Sequence, residues 1–99
     1  MTINKEMNGT KLTLRIEGNI DIHTSPQLSE ALEGELENVD QVTFDLTDAQ
    51  YITSSGLRVL LSAYQTMDEK GGRMILKNVN PQFMEALQLS GFTAFLEFE

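Results

Sequence analysis

Residues 42–72, which decide the fold, read VTFDLTDAQYITSSGLRVLLSAYQTMDEKGG. Val42 to Leu46 alternates apolar and polar side chains, the two-residue period of a strand with one buried face. Lys70 and the two glycines that follow it, Gly71 and Gly72, are typical of a helix end. Between the strand and this helix end, apolar residues recur at helical spacing: Leu57, Leu60, Leu61, Tyr64 and Met67. A strand that leads into a helix is the repeating unit of α/β folds with parallel strands.

A hairpin is predicted at the start of the chain. Ile3 to Met7 and Lys11 to Glu17 have strand character, and the second segment alternates cleanly between apolar and polar residues. Asn8-Gly9 between them predicts a type I′ turn, in which both central residues adopt positive φ.

A helix is predicted after the hairpin. Pro26 suits its first position with Ser25 as the N-cap residue, and Thr24 with Gln27 is an alternative capping box. Gly34 weakens the middle of this helix by about 1 kcal/mol relative to alanine. The apolar face comprises Leu28, Ala31, Leu32, Leu36 and, at its far end, Val39.

The remaining chain adds a strand, a helix and a tail. Arg73 to Lys77 contains the fourth strand, Asn78 to Pro81 begins the third helix, and Ser90-Gly91 ends it. Phe92 to Phe98 forms either a last short strand or a packed tail. The fold class is therefore α/β, a mixed sheet of four to five strands in the order β-β-α-β-α-β-α-(β). Alternating strands indicate helices mainly on one sheet face.

The composition limits the class of protein. Its 99 residues, 40% of them hydrophobic, suffice for a single domain spanning residues 1–99. No stretch resembles a membrane span or a secretory signal, and the absence of cysteine fits a reducing, cytoplasmic environment. We expect no cofactor and no metal site, and a monomer when the protein is free.

The net charge of −8 argues against a nucleic-acid or anionic-membrane partner. It is also uneven, because no basic residue lies between Arg15 and Arg58. Nine acidic residues lie in that interval: Glu17, Asp21, Glu30, Glu33, Glu35, Glu37, Asp40, Asp45 and Asp48. Residues 16–57, the acidic half of the chain, form either a solvated surface that keeps the protein soluble or a surface that steers a basic partner toward it.

Three consecutive hydroxyl residues, Thr53, Ser54 and Ser55, precede Gly56 where a strand leads into a helix. Serine and threonine are common N-caps, so capping is the simplest interpretation. The alternative is a phosphate acceptor. A phosphoryl group at this position meets free backbone N–H groups and adds about −1.5 to −2 charge.

Four segments carry a family resemblance. Tyr51-Ile52-Thr53-Ser54-Ser55-Gly56-Leu57 resembles the phosphorylation loop of bacterial anti-sigma factor antagonists, the stand-alone members of the STAS domain family. Residues 18–26, Gly71-Gly72 and Leu89 to Phe92 are similar to further family signatures. The resemblance covers essentially the whole chain with the same order of elements.

The resemblance implies partner switching without enzymatic activity. The unphosphorylated antagonist binds an anti-sigma factor that is also a serine kinase and so frees a sigma factor. Phosphorylation ends the binding, and a serine phosphatase restores it. Ser54 matches the family's phosphoacceptor, with Ser55 and Thr53 as rivals, since Thr53 stands where many members carry Asp. The implied partner-binding residues are Asp21, Thr53, Ser54, Ser55, Gly56, Leu57 and Arg58.

Two other functions remain as alternatives. A hydrolase built on Ser54, His23 and Asp21 can be drawn, but the chain has no nucleophile elbow and no other catalytic motif. A STAS-type interaction subunit of a non-sigma signalling or transport complex is the second.

Overall fold

Five strands form one mixed sheet in the computed structural model, which describes residues 1–99. The strands lie in the sheet in chain order: β1 (Thr2–Asn8), β2 (Lys11–Ile20), β3 (Gln41–Ile52), β4 (Arg73–Lys77) and β5 (Glu97–Phe98). β1 runs antiparallel to β2, and the other neighbours are parallel. The predicted fold class is confirmed, and the C-terminal segment does supply a fifth strand.

Three helices connect the parallel strands: α1 (Ser25–Leu32), α2 (Ser54–Glu69) and α3 (Pro81–Leu89). Two single 3₁₀ turns occupy Leu36–Asn38 and Phe92–Ala94. No helix is long and apolar enough to cross a membrane.

The core lies between one face of the sheet and the helices. From Lys11 to Ile16 of β2 and from Gln41 to Leu46 of β3, every second residue is buried, as the alternation predicts. These side chains join the apolar faces of the helices in one cluster of 21 buried residues. The residues between them, such as Thr13, Arg15 and Asp45, face the polar side of the sheet.

The hairpin is present, but its turn differs from the prediction. Asn8 pairs with Lys11, so the two loop residues are Gly9 and Thr10. Gly9 has φ +63°, whereas Asn8 and Thr10 keep negative φ. A positive φ at the first loop residue alone is the pattern of a type II′ turn, not type I′. The register is set by Met7, Lys5 and Ile3 lying opposite the core residues of β2.

The first helix is shorter than predicted and begins differently. It ends at Leu32, and Gly34 adopts φ +76°, which breaks the helix; Leu36 then packs from a separate 3₁₀ turn. Ser25 is the first helical residue, not the cap. Thr24 is the N-cap residue, but its side chain makes no capping bond.

The other helix ends follow their sequence signals. Gly71 (φ +74°) and Gly72 close α2, with their N–H groups bound to the carbonyls of Asp68 and Met67, in a Schellman arrangement. At the start of α3, the side-chain oxygen Oδ1 of Asn80 accepts the Phe83 N–H at 2.7 Å, as an N-cap does. The amide group of Asn80 also donates to two β3 carbonyls, 2.9 and 3.0 Å away, in the part of β3 beyond β4.

Candidate functional site

The two predicted site segments meet at one edge of the sheet. β2 and β3 run parallel and end together, with Ile20 paired to Ile52. The Thr53 N–H donates to the Ile20 carbonyl at 2.9 Å, which joins the start of α2 to the loop that follows β2. Asp21 and Ser54 therefore lie on neighbouring loops at the carboxyl ends of adjacent parallel strands.

Asp21 organises its own loop. Its Oδ1 atom accepts the backbone N–H groups of His23 at 2.9 Å and Thr24 at 3.1 Å, as an Asx turn does. The Thr24 hydroxyl completes the loop, because it accepts the Asp21 N–H and donates to the Asn19 carbonyl. Asp21 thus has a local structural role in this turn, and its second carboxylate oxygen makes no hydrogen bond within the chain.

The same hydrogen bonds keep Asp21 ionised. The His23 N–H, aimed at the carboxylate, is the main cause that lowers the pKa of Asp21, and the bonds from Thr24 add to it. The residue is half-buried, so a fixed negative charge lies beside the start of α2.

The start of α2 has no side-chain cap. Thr53 is the N-cap residue, but neither it nor Ser54 or Ser55 makes a side-chain capping bond. The Thr53 hydroxyl instead lies 3.5 Å from the Ile20 carbonyl oxygen. The capping interpretation is therefore wrong for all three residues. The first amide with an intrahelical acceptor is that of Leu57, which donates to the Thr53 carbonyl at 2.9 Å.

The three hydroxyl residues differ in accessibility. Ser54 is exposed and its side chain has no hydrogen-bond partner, whereas Thr53 and Ser55 are half-buried. Arg58 is also exposed, one turn after Ser54, and forms no ion pair within the chain.

Gly56 and Leu57 pack the start of α2 against the core. Gly56 is buried, and a Cβ atom there would lie 2.5 Å from Cγ2 of Ile20 and 2.7 Å from Cγ1 of Ile52. Leu57 is half-buried against the core. Of the predicted partner-binding residues, these two position α2 on the sheet more than they face outward.

Ile22 was missed by the sequence reasoning. It follows Asp21 and exposes 69% of its surface, which is a large fraction for an apolar side chain. The signal was present, since Ile22 lies between Asp21 and His23 in a segment with no helical or strand period. An exposed isoleucine beside an ionised carboxylate gives the site an apolar contact as well as a charge.

The acidic half is partly neutralised by residues outside it. Arg15 pairs with Asp48, and Lys5 with Glu35 at 3.0 Å. Asp48 also lies five residues before Thr53 along β3, about 16 Å at strand spacing. Of these two carboxylates, Asp21 is the one whose loop is joined to the start of α2, through the hydrogen bond from Thr53 to Ile20.

Neither a hydrolase arrangement nor a metal cluster is assembled here. Asp21 binds the backbone of His23 and not its ring, and the Ser54 side chain has no hydrogen bond to histidine. No group of three or more histidine, aspartate or glutamate residues could hold a metal ion.

Comparison with known proteins identifies the family. The model of the STAS domain matches residues 2–99. The chain belongs to the STAS domain family. This confirms the resemblance carried by the Gly18–Pro26 and Tyr51–Leu57 segments.

Relatives of this STAS domain are anti-sigma factor antagonists. The anti-sigma F factor antagonist of Paenibacillus polymyxa is 33% identical over 95 residues, which cover 92% of this chain and 80% of that protein. SpoIIAA, an anti-sigma factor antagonist, superposes in its unphosphorylated form with a TM-score of 0.80 at 19% identity, covering 99% of this chain and 87% of that one. The Bacillus cell fate determinant SpoIIAA in its phosphorylated form gives 0.78 at 21% identity, covering 99% and 91%. These two structures establish the likeness in fold.

Proposed function

We propose that this STAS domain is an anti-sigma factor antagonist whose binding is switched off by phosphorylation of Ser54. Its partner is an anti-sigma factor with serine kinase activity, and a serine phosphatase reverses the modification. The Paenibacillus polymyxa relative supports the class of partner. The observation that carries the proposal is the exposed Ser54 hydroxyl, which has no partner in the chain and stands at the first position of α2.

Accessibility favours Ser54 over its rivals. A kinase must bring the acceptor oxygen to the γ-phosphate, and Ser54 is the exposed hydroxyl residue of the three. Thr53 is held against Ile20 through its N–H group and lies in the extended conformation that precedes the helix. Ser55 is half-buried.

The start of α2 can accommodate a phosphate. The amide groups of Ser54, Ser55 and Gly56 have no intrahelical acceptor, and the positive end of the helix dipole lies there. Arg58 is four residues from Ser54, the spacing at which side chains meet on a helix surface. The phosphorylated loop can therefore be ordered without unfolding the domain.

Phosphorylation changes the surface that a partner meets. A neutral hydroxyl becomes a dianion beside the ionised Asp21 carboxylate and the exposed Ile22. Burying such a charge unpaired in an interface costs several kcal/mol, and each 1.4 kcal/mol is about tenfold in affinity. We expect affinity to fall by roughly a hundredfold or more.

The decisive experiment maps the acceptor. The protein is incubated with the cognate serine kinase and ATP, and phosphate on residues 53–55 is located by mass spectrometry. We expect modification of wild type and of the Ser55→Ala and Thr53→Val variants, and none of Ser54→Ala. A kinase that is active on another antagonist yet modifies no residue here contradicts the proposal and favours the non-sigma interaction subunit.

A binding experiment tests the switch itself. Ser54→Asp is compared with Ser62→Asp, which adds the same charge to an exposed position two turns further along α2. We expect the first variant to lose affinity for the kinase and the second to retain it. Equal affinity of wild-type and Ser54-phosphorylated protein would contradict the switch.

A further inference from the structure

β1 is an outer strand of the sheet with a neighbour on one side only. It is seven residues long, whereas β5 at the opposite edge has two. All of β1 except Ile3 is exposed. A long strand with an open edge presents a row of unpaired backbone groups to another chain.

The hairpin fixes which backbone groups face outward. Asn8 and Lys11 close a two-residue loop, so they form a pair that exchanges both hydrogen bonds. Such pairs recur at every second residue of β1. The N–H and C=O groups of the intervening residues Ile3, Lys5 and Met7 therefore point away from β2.

We propose that two copies of this chain associate by antiparallel pairing of their β1 strands, centred on Lys5. Ile3 then lies opposite Met7 of the second copy, and Asn4 opposite its Glu6. The two-fold axis is perpendicular to the sheet, so the helices of both copies lie on the same side. The expected monomer is replaced by a pair that forms as concentration rises.

Side chains favour this register over its neighbours. Met7 is 50% exposed, and pairing with Ile3 covers it with an apolar side chain on the helix side of the sheet. On the polar side, the Asn4 amide can donate to the Glu6 carboxylate. If one strand shifts by two residues in one direction, Glu6 lies opposite Glu6 of the second copy, and the two like charges repel. If it shifts by two residues in the other direction, the apolar Ile3 lies opposite the charged Lys5 of the second copy.

The central lysine does not prevent pairing. An inward-pointing charge on an edge strand normally opposes association. Here the Lys5 ammonium group is 3.0 Å from the carboxylate of Glu35 in its own chain. Each of the two opposed lysines therefore has its charge balanced within its own copy, which reduces the repulsion between them. The ion pair is about one-third exposed and contributes little to stability by itself.

Pairing through β1 leaves the Ser54 site accessible. The site lies at the carboxyl ends of β2 and β3, whereas the added strand lies along the far side of β1. Because a single strand pair buries less area than a standard interface of about 1,600 Å², we expect weak, reversible association. The inference does not depend on the proposed function.

Cysteine crosslinking tests the register, since the chain has no cysteine of its own. Asn4→Cys and Glu6→Cys proteins are mixed in equal amounts, oxidised mildly, and the linked species are identified by mass. Opposed residues in a non-hydrogen-bonded pair have Cα atoms about 4.5 Å apart, within disulfide range. The Cα atoms of residue 4 in the two copies lie roughly 8 Å apart, which is too far for a disulfide.

We expect the mixed disulfide to exceed each homodimer by roughly tenfold or more, because only that pair is within reach. Random collision gives about twice as much mixed product as either homodimer, and that ratio overturns the proposal. Predominant linkage of residue 4 to itself, or of residue 6 to itself, overturns it as well. Gln88→Cys, exposed on α3, measures the background of chance collisions.

Sedimentation equilibrium provides an independent measurement on proteins without engineered cysteine. The mean mass of wild type should rise above 11.1 kDa toward twice that value between micromolar and millimolar concentration. Lys5→Pro removes an outward N–H without touching the β1–β2 ladder, so it should stay folded and monomeric. A wild-type mass that stays at 11.1 kDa, or a Lys5→Pro variant that associates equally well, overturns the proposal.

Discussion

Replacing Gly56 by alanine should loosen the start of α2 from the sheet. The new Cβ would lie 2.5 Å from Ile20 Cγ2 and 2.7 Å from Ile52 Cγ1, distances that real Cβ contacts do not reach. Both isoleucines are buried, at 0% and 5% exposure, so neither can turn aside into solvent. Either the core shifts or α2 moves outward, and Ser54 moves with it.

The magnitude follows from two opposed effects. Overpacking a core costs about 1–3 kcal/mol, while alanine gains at most about 1 kcal/mol over glycine in a helix. Gly56 has ordinary helical φ, so no backbone strain is added or relieved. We expect a net loss of about 1–2 kcal/mol in the free energy of unfolding, which lowers Tm by roughly 5–15 °C in a domain of this size.

Urea unfolding of Gly56→Ala is the assay, with Ser55→Ala as the matched control. Ser55 is the adjacent helical residue and is half-buried, so its replacement tests helix propensity without the clash. In a double-mutant cycle, Ile20→Ala should recover part of the loss caused by Gly56→Ala, because it removes the contacted methyl group. A Gly56→Ala protein as stable as wild type, or strict additivity in the cycle, would refute the reasoning.

Three further predictions concern the site and its supports. Asp21→Asn should keep the loop, because the amide oxygen can accept the same N–H groups, whereas Asp21→Ala should loosen it. The folded-state pKa of Asp21 is lowered, so the stabilising contribution of its ionised form is present above the unfolded pKa and disappears as pH falls through the folded pKa. In urea unfolding, wild type should therefore be more stable than Asp21→Asn near neutral pH and lose this advantage in acid; a difference that does not change with pH contradicts the role of the charge. Asn80→Ala removes a cap and two donors to β3 and should reduce the unfolding free energy by about 2–3 kcal/mol, with Asn80→Ser retaining the cap alone; equal urea midpoints for these two variants contradict the β3 role. In Ser54-phosphorylated protein, Arg58→Gln should raise the second pKa of the phosphate in a ³¹P NMR titration, and an unchanged pKa excludes contact between the two groups.

Elements with a strong period or cap were predictable from sequence. The strand–helix unit of residues 42–72, the Asn80-Pro81 start of α3 and the double-glycine end of α2 all appear as expected. In each case the local signal and the tertiary packing favour the same structure.

Features set by tertiary contacts were not predictable. Asn8-Gly9 fits a hairpin with either residue pair in the loop, and the choice follows from which β1 side chains face the core. Gly34 looked like a weak point in a long helix, yet it ends that helix and lets Leu36 pack from another direction. Residues 16–57 contain no basic residue in sequence, yet Arg15 of β2 and Lys5 of β1 form ion pairs with carboxylates of that region in the fold.

The absence of a side-chain cap at the start of α2 is likewise set by tertiary contacts. Thr53 is fixed through its backbone to Ile20, and hydrogen bonds within the Asp21 loop hold that loop in place. The helix start is therefore held without a side-chain cap, so Ser54 has no structural task within the fold. It follows that Ser54→Ala should change the unfolding free energy by no more than about 0.5 kcal/mol, in contrast to Gly56→Ala two residues later. A stable Ser54→Ala protein that cannot be phosphorylated would separate the role of this residue in switching from any role in folding, whereas a strongly destabilised one would show that the hydroxyl does hold the helix start.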